Sequence, residues 1–482
     1  MTVTPFFYPY EPPEHLSTTN NPPSDPEILE IRRIVDKGRV HAAYLQSEIL
    51  RLRHEINELS NERHSIQSKV DRHAAILSPV RRLPAEILIT IFHGTLPSPT
   101  SRPAFPTQSP WNVSRVCVLW GSVALSSPEL WSHISVHPSR NIPIPALYAQ
   151  LERSKPRLLS INFSCDGIYA NSHALAVLLD NSARWKAVSL LRPPRQTIIR
   201  FNNELFQGRL LPELRSLSFK RSDDSETCTA FESAPRLTDV RIDGSHRRVL
   251  VPYPQLTRLR VQMPRTPDRL GTALNLTHLT LGKASVTLPP PSYAQPIHLP
   301  VLRFLYIADG HYLESFLLPA LEDICVRENV SFLPAFITRS PCTLKVLTIL
   351  EGLLDVVPIL QSTPALHELR LRRLFAISLL VPQLVIPDDD SAVVCPELRH
   401  LTLCDVEEEE FLLALEILDT RKRAEDFPSL DLLILELDSG GTCPYSVPET
   451  YKHLRKDVHW VSGKRAVEAF ESWRAVYPGG GK

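Results

Sequence analysis

A short phrase of the form L-x-x-L-x-L returns ten times between residues 211 and 435 of this 482-residue chain. It reads LPELRSLSF at 211, APRLTDVRI at 234, YPQLTRLRV at 253, ALNLTHLTL at 273 and LPVLRFLYI at 299. It continues as LPALEDICV at 318, CTLKVLTI at 342, TPALHELRL at 363, CPELRHLTL at 395 and FPSLDLLIL at 427. The first leucines, from Leu214 to Leu430, are 19 to 32 residues apart, too close for separate domains and right for stacked units of one strand and its return. Within a strand the two apolar residues of L-x-L share a face, and the earlier leucine turns into the same core from the approach. A single unit covers only one side of that core, so its neighbours must complete it. Burying each leucine is worth roughly 1.5–3 kcal/mol, so about thirty such positions supply tens of kcal/mol against chain entropy.

The spacing overlaps that of leucine-rich repeats. The expectation is an α+β multidomain chain whose residues 136–440 form an irregular leucine-rich-repeat solenoid with parallel strands, opening with the weaker relatives KPRLLSINF at 155 and RWKAVSLL at 184. Residues between the core positions should share the opposite, concave face. Ser216, Ser218, Asp239, His278, Thr280, Asp323, Cys325 and Glu368 fall there, with Arg241, Arg258, Arg260, Phe304, Tyr306 and Arg370 as the candidate substrate face. A basic middle at Arg241, Arg258 and Arg260 suits an acidic or phosphorylated peptide; ordinary solvated arginines are the plain alternative. The acidic runs Asp388–Asp390 and Glu407–Glu410 read as solvated. Residues 441–482 read as cap and tail, with Val467, Phe470 and Trp473 on one helical face of the segment Lys464 to Val476.

The N-terminal part is built differently. Residues 1–26 hold seven prolines among Ser, Thr and Asn and read as a disordered leader. Residues 27–77 read as a coiled-coil helix: from Ile28 to Leu77 there is no proline, and apolar residues step by threes and fours. With Ile28 at heptad position a, Ile49, Ile56, Val70 and Leu77 are also at a, and Ile31, Leu45, Leu52, Leu59 and Ile66 at d. Gly38, Ala42, Arg63 and His73 interrupt the seam. A lone helix with such a stripe is marginal in water, so a partner is needed, either a second copy of the chain or a groove on its own body.

Residues 78–135 follow directly. Leu77-Ser-Pro-Val-Arg-Arg-Leu83-Pro84-Ala-Glu86-Ile87-Leu88-Ile-Thr-Ile91-Phe92 reads as a turn into a helix, with Pro84 suited to its first turn. After a proline-rich loop come Pro110-Trp111, then Val116-Cys117-Val-Leu-Trp120, and Ser127-Pro128-Glu-Leu130-Trp131. Three short helices result, with more apolar positions than so small a trio can hide. The segment resembles an F-box, in the form found in large fungal families. The match covers about 55 residues, at Leu83, Pro84, Glu86, Ile87, Leu88, Ile91, Phe92, Trp111, Val116, Cys117, Trp120, Leu125, Pro128, Leu130 and Trp131. The loop between the first two helices is longer than usual, and Gly121 stands where the family often has Arg or Lys. The resemblance implies docking on a Skp-family adaptor, and through it on a cullin-RING ubiquitin ligase, by Leu83, Pro84, Ile87, Leu88, Ile91, Phe92, Val116, Cys117, Trp120 and Leu130. The repeat array would then select a protein substrate; a non-ligase scaffold or an enzyme-regulating interaction protein is the alternative.

Composition narrows the remainder. With 53 basic and 53 acidic side chains the net charge is zero, which gives no bulk reason to expect a nucleic-acid partner or an anionic membrane surface. Only 16 residues are glycine, and no phosphate-binding glycine loop, GxSxG elbow or HExxH appears. Eight cysteines lack any CxxC pair, and no basic-then-apolar leader opens the chain, so free thiols in the cytoplasm or nucleus are expected. The sequons at Asn112, Asn162, Asn275 and Asn329 then read as chance matches. His133 and His137, or His400 and Cys404, lie four apart on extended chain, about 13 Å, too far for one metal ion. Neither a catalytic residue nor a cofactor is expected.

Overall fold

The computed structural model describes residues 14–18, 20–96, 109–136, 143–164, 172–193, 195–206, 211–220, 226–243, 249–262, 269–282, 296–351, 357–372, 384–386, 393–404, 408–424, 428–436 and 448–462. Most of the leader, Asp388–Asp390, Glu407 and the segment Lys464 to Val476 lie outside the described residues. The chain divides into two compact units, Met1–Ile87 and Leu88–Lys482.

The first unit is dominated by one helix. A short turn of helix, α1 (Glu14–Ser17), precedes α2 (Asp25–Leu77), which runs 53 residues, close to the span that the proline-free stretch predicts. Its start follows from Ser24, whose backbone N–H donates to the Glu27 carboxylate at 2.8 Å, and from Pro26 in the first turn, where a missing N–H costs nothing. It stops at Leu77, ahead of Ser78-Pro79. Arg51 donates to Glu48 and Glu55 along the helix, yet none of the 53 side chains is buried. At about 1.5 Å per residue the helix is about 80 Å long, and it holds no core of its own.

The second unit begins in α3 (Ala85–Gly94) and continues through α4 (Val118–Leu125) and α5 (Pro128–Trp131) into a sheet. Among the described residues, fourteen strands lie side by side in chain order, each paired parallel to the next. They are β1 (His133–Val136), β2 (Leu159–Ser164), β3 (Trp185–Leu191), β4 (Ser216–Lys220), β5 (Asp239–Asp243), β6 (Arg258–Gln262) and β7 (His278–Gly282). Then come β9 (Phe304–Asp309), β11 (Asp323–Glu328), β12 (Val346–Ile349), β13 (Glu368–Arg372), β14 (His400–Cys404), β15 (Asp431–Glu436) and β16 (Val458–Ser462). The short β8 (Ile297–His298) and β10 (Phe316–Leu317) pair separately with each other.

Each of the ten phrases becomes a strand, and the register explains why. The opening leucines Leu214, Leu237, Leu256, Leu276, Leu302, Leu321, Leu366 and Leu398 are wholly buried, and Leu344 and Leu430 nearly so. Beside each of them the chain enters the sheet through a repeated bond. The N–H of Arg258 donates to Thr238, that of His278 to Thr257, that of Phe304 to Thr277, and that of Asp323 to Arg303. Because sequence-adjacent strands are also neighbours in space, this is a solenoid-like stack in which every repeat seals the next. The array is longer than residues 136–440: β1 lies at its first edge and β16 extends it past 440. Polar side chains pin the returns, as where Gln255 donates to the carbonyls of Ala234 and Leu237 at 2.7 and 2.9 Å.

Candidate functional site

The helices that open the second unit are short, so their interior is closed by large side chains. Leu88, Phe92, Leu130 and Trp131 are wholly buried, with the Phe92 and Trp120 rings 5.0 Å apart and the Trp131 indole N–H donating to the Ala124 carbonyl at 2.7 Å. Leu88, Phe92 and Leu130 therefore fill the interior and do not line an outer docking face; Trp120 is half-buried beside them. What faces outward is Ile91, Val116 and Cys117, together with Val118, Leu119 and Leu125, of which Val118 is 91% exposed. In the first unit Leu83 is half-buried, whereas Pro84 and Ile87 are exposed. Gly121 has a local cause: a Cβ there would stand 3.0 Å from the Ser114 carbonyl oxygen, so the helix meets the preceding turn at a distance that Arg or Lys would disturb. These helices present an outward surface of Ile91, Val116, Cys117, Val118, Leu119 and Leu125, apolar apart from one thiol.

A weld joins this helical segment to the sheet. Trp111 and Trp131 meet edge to face at 5.0 Å, and the Arg153 guanidinium, from helix Ile144–Arg153, lies 4.9 and 4.5 Å from their ring centres. Gln150 of the same helix is buried, donates to the His133 carbonyl at 2.9 Å and accepts from the Trp111 indole at 3.4 Å. Cation–π contacts of this kind contribute about 0.5–2 kcal/mol each, so they help tie the helical segment to the first edge of the sheet. Nothing in the sequence pattern singled out Arg153 or Gln150, because neither belongs to a repeat phrase.

On the sheet face opposite the leucine core, strand pairing aligns the expected residues in two rows. One row passes through Asp239, Arg258, His278, Phe304 and Asp323, the other through Arg241, Arg260, Thr280, Tyr306 and Cys325. Glu368 and Arg370 continue these rows one strand beyond Val346 and Thr348. The structure brings the residues together but buries four of the twelve, Thr280, Tyr306, Asp323 and Cys325. Tyr306, only 2% exposed, packs with Ala308, Cys325 and Leu350 in a small apolar cluster, so it is not an exposed contact residue as expected. Burial pushes its hydroxyl up to about 12 and raises the Cys325 thiol as well. Arg258 remains exposed, Arg241, Arg260, Phe304 and Arg370 half-buried.

The charges on this face are mutually balanced. Asp243 receives Arg241 at 3.3 Å and Arg260 at 3.5 Å, while Arg370 donates to Glu368 at 2.7 Å. Asp243 lies two residues beyond Arg241, and carrying the strand alternation one step further would have found it. His278 stacks on Phe304, ring centres 4.3 Å apart and 13° from parallel. Burial, then the nearby Arg258 and Arg303, lower its pKa and keep the ring neutral near pH 7. Burial pushes the Asp323 carboxyl up to about 7, with Arg370 opposing and Glu368 reinforcing. This face therefore carries the exposed Arg258 beside the stacked His278–Phe304 pair, a cation and a ring surface side by side.

Among the described residues, no three His, Cys, Asp or Glu side chains group as metal ligands, and no helix is long and apolar enough to cross a membrane. No protein-family model matches the chain, and no curated protein matches it.

Proposed function

We propose that this chain is the substrate-recognition subunit of a Skp–cullin–F-box type ubiquitin ligase. In this reading residues 78–135 are an F-box whose uncovered face takes a Skp-family adaptor, and the repeat array takes a target protein on its strand face. One observation carries it: the segment with the F-box resemblance closes its own interior with Leu88, Phe92 and Leu130 yet still turns Ile91, Val116, Val118, Leu119 and Leu125 outward. Surface of that kind is what a permanent partner covers. The packed joint through Trp111, Trp131 and Arg153 supports the same reading, since a receptor works by holding a target near a conjugating enzyme and gains from a tied-down link between its docking and target-binding parts. Such a receptor works in the cytoplasm or nucleus. Among the array's residues, Arg258, Arg260 and Phe304 are the first candidates for target contact.

Co-purification of the full chain with a Skp-family adaptor tests the proposal. Wild type should retain the adaptor through size exclusion, and Leu83→Ala/Pro84→Ala should lose it while keeping its circular dichroism. A folded wild-type chain without adaptor, or a variant that keeps it, overturns the receptor reading in favour of a scaffold.

A further inference from the structure

From Ile49 to Leu77 every residue of α2 is exposed, the seam residues Ile49, Leu52, Ile56, Leu59, Ile66 and Val70 included. We infer that a second copy of this chain covers the seam, in parallel and in register. The core choice points to two strands: Leu45, Ile49, Leu52, Ile56 and Leu59 alternate Leu at d with Ile at a, the combination that packs best in a parallel pair. The flanks point to the direction. With this frame Glu48, Glu55 and Glu62 occupy g, and Arg53, Ser60 and Gln67 occupy e. In a parallel pair each g residue meets the e residue five positions later on the other helix, which gives Glu48–Arg53 twice and leaves Glu55 and Glu62 beside neutral side chains. An antiparallel pair sets g against g, and so glutamate against glutamate, in the registers that overlap most of the seam. Arg63, at a, would face its own copy but has Glu62 of the opposite helix within reach, and its aliphatic stem can lie along the seam. A polar residue at one a position fixes register, so Arg63, which with His73 at d breaks the apolar pattern in this stretch, also selects the in-register pair.

The seam is long enough for the task. Positions Leu45 to Leu59 give two full heptads of uninterrupted Leu and Ile, and Ile66, Val70 and Leu77 continue beyond the arginine. A parallel pair lets both chains leave the seam at the same end, so a dimer would carry two recognition units and gain avidity for a target with two sites. The inference does not rest on the receptor reading, because the experiment that tests it contains no adaptor.

Sedimentation equilibrium of the full chain reads the association directly. Wild type at about 10 µM should sediment at twice the 54.5 kDa chain mass, and Leu52→Asp/Ile56→Asp at the single mass. Glu48→Lys alone sets Lys against Arg53, and Arg53→Glu alone sets Glu48 against Glu; each should raise Kd about tenfold. Mixed together, these two variants should regain the wild-type Kd as a heterodimer, a result that no antiparallel pairing or folding defect produces. A monomeric wild type, a dimeric Leu52→Asp/Ile56→Asp chain, or a mixture no tighter than either variant alone overturns the inference.

Discussion

Phe92 and Val118 lie in the same helical segment with opposite burial, and that contrast gives a quantitative test of which surface is open. Phe92 is wholly buried and packs at a tilt against Trp120, ring centres 5.0 Å apart. Truncation to Ala removes a ring from a closed interior, which costs about 3–5 kcal/mol, of which the aromatic pair is about 0.5–1.5 kcal/mol. The helices are short and cannot relax around the gap, so α3 and α4 should open locally. Val118 is 91% exposed, so Val118→Asp should change stability by no more than about 0.5 kcal/mol. Hydrogen exchange is the right assay, because a chain with two compact units need not unfold in one step and a single melting temperature would mix them. Amides of residues 118–131 should exchange about a hundredfold or more faster in Phe92→Ala and at the wild-type rate in Val118→Asp, with those of β9 to β14 unchanged in both. Equal acceleration by the two substitutions would show that Val118 is packed inside, and would remove the open apolar face on which the docking proposal stands.

Three further outcomes follow from buried groups in the array. Asp323, with its carboxyl raised to about 7 from 3.8, holds a proton in the folded state that the unfolded chain has released, so its contribution to stability declines as pH rises from about 4 to 7. Asp323→Asn should therefore raise the array's melting temperature at pH 8, by a free energy of at most about 4 kcal/mol, and match wild type near pH 3; a pH-independent difference contradicts this. Arg421, 1% exposed, donates to the carbonyls of Leu384, Val394 and Cys395 at 2.9, 2.8 and 3.1 Å, so Arg421→Ala should cost about 3 kcal/mol or more, read as proteolysis confined to residues 384–424. At Gly310 a Cβ would stand 2.1 Å from the Asn329 carbonyl oxygen, so Gly310→Ala should shift the β9 and β11 ends apart and lower denaturant resistance, whereas Gly271→Ala, where nothing lies within 4 Å, should not.

The array was legible because its signal is redundant. A buried leucine ahead of an alternating strand recurs ten times, so an error in one repeat is corrected by the next, and every phrase became a strand in sequence order. Alternation states which face a side chain takes but not how deep it lies. Arg258 and Tyr306 share a face by pattern, yet only Arg258 stays exposed, because Tyr306 is flanked by the small or apolar Ala308, Cys325 and Leu350. The helical segment was harder. In α3 the apolar residues Ile87, Leu88, Ile89, Ile91 and Phe92 go nearly all the way round ten residues, so periodicity could not say that Leu88 and Phe92 turn inward and Ile87 and Ile91 outward. Strand β1, at His133–Val136, agrees with the extended reading of His133 to His137, although the boundary at residue 135 grouped most of it with the helices.

Calorimetric titration of the full chain with a Skp-family adaptor measures the central claim most directly. Wild type should bind with one adaptor per chain, and Val118→Asp/Leu125→Asp should bind about a hundredfold or more weakly while its hydrogen exchange stays that of wild type. No heat of binding from a folded wild-type chain, or equal affinity in the double variant, would contradict the account.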